Sequence, residues 1–142
     1  MGLLDSMTIA SQGMSAERAR LEVVASNLAN SNTTRTPEGG PYKRRDVVFS
    51  VTDIGSEFSS ELDRAAKGVE INEIRPDNSP PVRQYNPGHP DADAQGYVLM
   101  PNINPIEETV NMMGATRAYQ SNLTVFNSVK DMVRSTIDML KS

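Results

Sequence analysis

Both ends of this chain carry apolar or small residues in alternating steps of four and three, and the segment between them does not. From the N-terminus the series is Leu3, Met7, Ala10, Met14, Leu21, Val24 and Leu28, with Glu17 its one polar member. Near the C-terminus it is Met112, Thr116, Tyr119, Leu123, Phe126, Lys130, Val133, Ile137 and Leu140. A 3.5-residue period belongs to helices packed along a shared seam. The spacing therefore predicts a mainly α chain whose N- and C-terminal amphipathic helices pair as an α-helical coiled coil. Asn104-Pro105-Ile106-Glu107 reads as the start of the second helix: Asn104 caps, Pro105 sits where a missing N–H costs nothing, and Glu107 reaches back. Asp5 or Ser6 is expected to cap the first. Gly13 weakens that helix by about 1 kcal/mol relative to alanine, so packing must supply the difference. Residues 105–141 would span about 55 Å at 1.5 Å per residue, more than a compact domain of this size requires. Ile9, Val23, Val110, Met113, Val125, Val129, Met132 and Met139 lie off the two seams and widen the apolar stripe beyond what one partner covers.

Between the helices the pattern changes. KRRDVVFSV, GVEINEIR, PPVRQY and GYVLM are short, rich in Val, Ile and Tyr, and bounded by Pro, Gly and Asn, which reads as a small β-rich middle segment of a few short strands. The expected organisation is a helix over 1–31, an extended arm and β-rich region over 32–103, and a helix over 104–142. A flexible loop is expected near 52–67, where TDIGSEFSSELDRAAK has no sustained period.

Composition narrows the chemistry. The chain is 37% hydrophobic and 5% aromatic, which leaves little for a large internal core. A net charge of −4 gives no broad field to attract nucleic acid, and no apolar run approaches the length needed for membrane insertion. The absence of cysteine removes disulfides, thiolate metal sites and a cysteine nucleophile. The opening MGLLDSMTIASQGMSAER has neither the basic leader nor the unbroken apolar stretch of a cleaved secretory signal, so none is expected. His89, Asp91 and Asp93 invite a metal reading, but Gln95 and Asn102 stand where a calcium loop needs ligands; a turn-rich loop is the expectation. No serine has a visible base, and Gly39-Gly40 lacks the surroundings of a phosphate loop, so neither catalysis nor a cofactor is expected. Glu107 and Glu108 are read as charges favouring the helix start. Arg35, Lys43, Arg44 and Arg45 suit either an acidic neighbour or a solvated face. On the residues alone, a subunit of a larger assembly competes with a soluble helical hairpin that binds a single partner helix.

Three runs carry a more specific signal: VASNLANSNTTRTPEGGPYKRR over 24–45, NPGHPDADAQGYVLMPNIN over 86–104, and MMGATRAYQSNL over 112–123. In these the chain resembles the flagellar rod and hook family of axial proteins, in which the first helix ends in an asparagine-leucine-alanine-asparagine motif, here Asn27 to Asn30. The resemblance implies a non-enzymatic structural subunit of the basal-body rod, without cofactor or metal, whose terminal helices form the inner layer of a helical tube. Implied partners are further copies, the rod proteins FlgB, FlgF and FlgG, the protein FliE, and the flagellar type III export apparatus. The implied location is the rod in the periplasmic space, reached without a cleaved signal. Assembly contacts would then fall on Met14, Leu21, Val24, Asn27, Leu28, Asn30, Tyr119, Leu123, Phe126, Val133, Ile137 and Leu140. The arm between subunits would present Arg35, Pro37, Gly39, Gly40, Tyr42, Lys43, Arg44 and Arg45. Asn27 and Asn30 are expected to end the helix, by bonding its last carbonyls or by turning left-handed.

Overall fold

The computed structural model describes residues 2–53 and 67–141. Six elements follow in order: α1 Leu3–Ala29, β1 Arg45–Asp53, β2 Lys67–Pro76, β3 Val82–Tyr85, β4 Tyr97–Met100 and α2 Pro105–Lys141. The loop expected near 52–67 lies, from 54 to 66, outside the described residues.

The two helices begin and end on local side-chain chemistry. At the start of α1, the Gly2 amide donates to the Asp5 carboxylate at 2.5 Å, while Ser6 turns its hydroxyl back to the Gly2 carbonyl and caps nothing. At its end Asn30 donates to the Ser26 carbonyl through both its amide N–H (3.0 Å) and its Nδ2 (2.9 Å), and Ser31 Oγ donates to the Leu28 carbonyl. Among the described residues only glycines have positive φ, so the asparagines stop the helix by bonding carbonyls rather than by turning left-handed. For α2, Asn104 Oδ1 accepts the Ile106 N–H at 3.1 Å, and Asn104 Nδ2 donates to Glu107, so the expected cap forms with Glu107 bonding the cap's side chain.

The helices pack antiparallel. Asn27 bonds Glu108, and a Cβ at Gly13 would lie 2.6 Å from Asn122 Nδ2, so a step of fourteen residues along α1 matches fourteen along α2 in the opposite sense. By the same offset Leu3 falls opposite Met132, and residues 133–141 run beyond the start of α1 by roughly 13 Å. Gly13 weakens its helix but lets the two backbones approach; that gain is invisible in a propensity scale.

The contact seam differs from the expected one by one line of side chains on each helix. On α2 the deeply placed residues are Glu108, Ala115 and Val129, with Asn122 half-buried on the same seven-residue line. The expected line Met112, Tyr119, Phe126 and Val133 flanks it and is half-buried, whereas Thr116, Leu123, Lys130, Ile137 and Leu140 are exposed. On α1, Ala10 and Val24 are buried as expected, and Gly13 and Asn27, each one position before a residue of the expected line, meet α2 at Asn122 and Glu108, while Met14 and Leu28 are half-buried. The physical reason is size: glycine, alanine and asparagine permit a close approach that leucine and methionine on the neighbouring line would hold apart.

Two antiparallel hairpins complete the chain. In β1–β2, Arg45 pairs with Pro76 and Asp53 with Lys67, with a bulge at Val48/Phe49. The hairpin lies along α1, where Ala16 sits beside Val69 and Ile71 and Val23 is buried seven residues further on. Part of the off-seam apolar surface is thus covered within the chain. In β3–β4, Val82 pairs with Met100 and Tyr85 with Tyr97; Val98 is the buried residue, and the two tyrosine rings meet edge to face at 5.3 Å.

The resulting interior is made of small side chains: Ala10, Ala16, Val23, Val24, Val98, Ala115 and Val129. Among the described residues no Leu, Ile, Met, Phe or Tyr is buried, and two of the three largest fully buried side chains are polar, Glu108 and Asn27.

Candidate functional site

The two buried polar residues belong to one network at the end of the helix pair. Asn27, in the last turn of α1, is 0% exposed and uses its whole amide. Its Nδ2 donates to the Arg45 carbonyl (2.8 Å) and to Glu108 Oε2 (3.1 Å). Its Oδ1 accepts the Arg45 N–H (2.9 Å) and the Tyr42 hydroxyl (3.3 Å). An amide side chain offers a donor and an acceptor to the C=O and N–H of one residue, as a neighbouring strand would, so Asn27 docks β1 onto α1 where no strand is available. Tyr42 also meets Ser26 Oγ at 3.2 Å, holding the end of the arm against the same turn.

Glu108, in the first turn of α2, is 1% exposed. One carboxylate oxygen accepts from Asn27 and the other from Arg44 Nε at 2.8 Å. A buried carboxylate is strongly disfavoured unless both oxygens find donors, and here both do. Burial by itself would lower the Arg44 pKa; the hydrogen bond and charge of Glu108, assisted by Asp46, outweigh it, so the guanidinium is held above its ordinary value. Arg44 therefore stays charged across the physiological range. The expectation that Glu108 merely favours the helix start is corrected: it is the internal partner that joins α1, the arm, β1 and α2.

The arm is a closed loop rather than an extended segment. The Thr33 carbonyl accepts the Tyr42 N–H (3.0 Å), the Thr36 N–H donates to the Gly40 carbonyl (2.9 Å), and the Gly39 N–H donates to Thr36 (3.0 Å). Pro37 presets φ for such a turn, and Gly39 (φ +89°) and Gly40 (φ +75°) supply a backbone conformation that other residues adopt at a cost. Thr34 Oγ1 then ties the loop to Asp91 at 2.8 Å. Of the basic residues, Arg44 points inward to Glu108, while Arg35, Lys43 and Arg45 are exposed. The four do not form one surface.

The loop over 86–96 spends its polar groups internally. Asp93 accepts the N–H groups of Tyr97 (2.9 Å) and Gln95 (2.8 Å) and pairs with Arg83 (3.2 Å), whose guanidinium also lies over the Tyr97 ring. The Tyr97 N–H above all, joined by Gln95 and Arg83, holds the Asp93 carboxyl below the usual range against an opposing desolvation. His89 Nδ1 accepts the Asp91 N–H. Among the described residues no group of three His, Asp or Glu side chains is placed to hold a metal ion. No described helix is long and apolar enough to cross a membrane.

A family model described as "Flagella basal body rod protein" matches residues 7–35, and one described as "Flagellar basal body rod FlgEFG protein C-terminal" matches residues 94–139. Over the whole length, the chain is 42% identical to the flagellar basal-body rod protein FlgC of Borreliella burgdorferi, covering 99% of each. The chain belongs to the FlgC family of flagellar basal-body rod proteins. The FlgC of Escherichia coli O6:H1 is 40% identical over 98% of each chain, and that of Bacillus subtilis 36% identical over 99% of this chain and all of that one. The two matched segments contain Asn27 and Glu108 respectively, so the network described above joins them, with Tyr42, Arg44 and Arg45 contributed from between.

Sequence reasoning placed Asn27, Tyr42, Arg44 and Arg45 among the site residues but read Glu108 only as a helix-start charge. Its signal was present: a lone acidic residue seven positions before Ala115, on a line of otherwise small residues.

Proposed function

We propose that this chain is a structural subunit of the proximal rod of the bacterial flagellar basal body. It packs through its terminal helices with further copies and with other rod proteins into a helical tube that transmits torque, and the paired helices form a coiled-coil layer within it. The observation that carries this reading is the unfinished interior. Leu123, Ile137 and Leu140 are 40%, 46% and 82% exposed along a single helix. Burying such side chains is worth about 1 kcal/mol or more each, a gain that packing against another chain would supply. A head-to-tail contact of one subunit's apolar ledge with a different surface of the next generates a helical array rather than a closed pair. The full-length similarity to rod proteins supports the same reading.

In this assembly Val24 and Asn27 act inside the subunit, holding the helix pair, whereas Leu123 and Ile137 act between subunits. Arg35 and Lys43 of the arm face acidic surface on a neighbour. Delivery is by the flagellar type III export apparatus without a cleaved signal, and the final position is periplasmic. Electron microscopy of basal bodies isolated from cells carrying a tagged chain tests the proposal. Several copies on a helical lattice at the proximal rod are expected; normal rods lacking the tagged protein would refute it.

A further inference from the structure

We infer that the network of Asn27, Glu108 and Arg44 is the axial ruler of the helix pair, fixing how far α2 projects past α1. The inference deepens the rod reading, because that projection is the ledge offered to the next subunit, yet the ruler itself is a property of the single chain.

The remainder of the seam discriminates poorly between registers. Its facing positions are small or adaptable: Ala10, Gly13, Ala115 and Asn122, with the flexible, half-buried Arg20 between Gly13 and Asn27 on α1. Sliding the helices by seven residues, about 10.5 Å, brings Asn27 opposite Ala115 or carries it off the start of α2, and the small side chains accept either slide. Glu108 does not. Only in the observed register does its carboxylate meet both Asn27 Nδ2 and Arg44 Nε; one slide carries it past the end of α1, the other sets it opposite Arg20, and either parts it from Asn27, whose amide is held by Arg45. A single buried polar pair that selects register is the best-attested role for such groups. The consequence is geometric: a slide of one heptad would change the nine residues 133–141 projecting beyond Leu3 to about two or about sixteen.

The chain has no cysteine, so engineered pairs report register directly. Gly13→Cys is combined with Asn122→Cys for the observed register, and with Val129→Cys or Ala115→Cys, each alongside Asn122→Ala, for the two slid registers. Disulfide yield is measured in the purified full chain under mild oxidation, with helicity followed by circular dichroism. With Glu108 present, the 13–122 pair is expected to exceed the other two at least tenfold. With Glu108→Ala, its yield should fall at least threefold while a slid pair rises. A folded Glu108→Ala chain giving only the 13–122 disulfide at unchanged yield would overturn the inference. Should Glu108→Ala not fold, Glu108→Gln is read by the same pairs and the same criterion. Loss of helicity in both variants would mean that the network provides stability alone, which also overturns it. Because the readout needs no assembly, these outcomes are independent of whether the chain is found in the rod.

Discussion

Asn27→Ala removes four hydrogen bonds from a site that offers no substitutes. The bond to Glu108 is buried and made to a charged group, a class worth about 1.5–3 kcal/mol. The bonds to the Arg45 carbonyl and N–H and from the Tyr42 hydroxyl are partly buried, and about 0.5–1 kcal/mol each is a fair allowance. The expected loss is about 4 kcal/mol, a large share of the roughly 5–15 kcal/mol that holds a domain together, and about 10 °C or more in Tm. Urea unfolding of the purified chain, followed by far-ultraviolet circular dichroism, measures it. Asn30→Ala provides the internal control, since Asn30 only bonds carbonyl and hydroxyl groups at the helix end and should cost about 1 kcal/mol. Asn27→Asp places a second carboxylate beside Glu108 and should cost at least as much as alanine at pH 7. A loss below about 1 kcal/mol for Asn27→Ala, or equal losses at positions 27 and 30, would refute the reasoning that makes Asn27 the hub.

Leu123→Asp and Ile137→Asp lie on the exposed line of α2 and should change the stability of the isolated chain by less than about 1 kcal/mol while abolishing swimming; soft-agar motility with immunoblotting for the protein decides, and normal swimming contradicts the assembly role. Gly96→Ala should cost about 2 kcal/mol, because φ is +81° and a Cβ would meet the Tyr85 ring at 2.9 Å, whereas Gly39→Ala, with nothing within 4 Å, should cost only the left-handed backbone, about 1 kcal/mol; thermal melts compare them. The carboxyls of Asp93 and Asp77 are held below their ordinary value, by the Tyr97 N–H first in one case and by the Ser79 hydroxyl and N–H in the other. Their contribution is therefore present above the ordinary carboxylate range and lost as pH falls through the lower folded value. Asp93→Asn should flatten that part of the acid-unfolding curve; an unchanged acid limb would argue against it.

The element order was legible because it rests on short-range signals. The four stretches read as strands are the four strands, and Asn104-Pro105 starts α2 where its chemistry requires. The seam was legible only to within one line of side chains. Periodicity weighs residues by hydrophobicity, so it chose Leu123 and Ile137 over Asn122 and Ala115, whereas the packed pair is chosen by how closely backbones approach, and Gly13 with Asn122 decides that. Glu108 escaped because its partners, Asn27 and Arg44, are eighty-one and sixty-four residues away, and no local pattern records such a meeting. The arm escaped for a related reason. Pro37 and Gly39-Gly40 announce a turn, but the closure of that turn onto Thr33 and Asp91 is tertiary.

An interior with nothing bulkier than valine among the buried apolar groups of the described residues gives the solitary molecule a shallow energy well. Such a polypeptide opens readily, since large apolar side chains such as Leu4, Ile106 and Leu140 stay mostly in water. Its firmness is borrowed from company: melting should track the concentration of neighbours, and the finished shaft should resist heat and force far better than any one of its pieces.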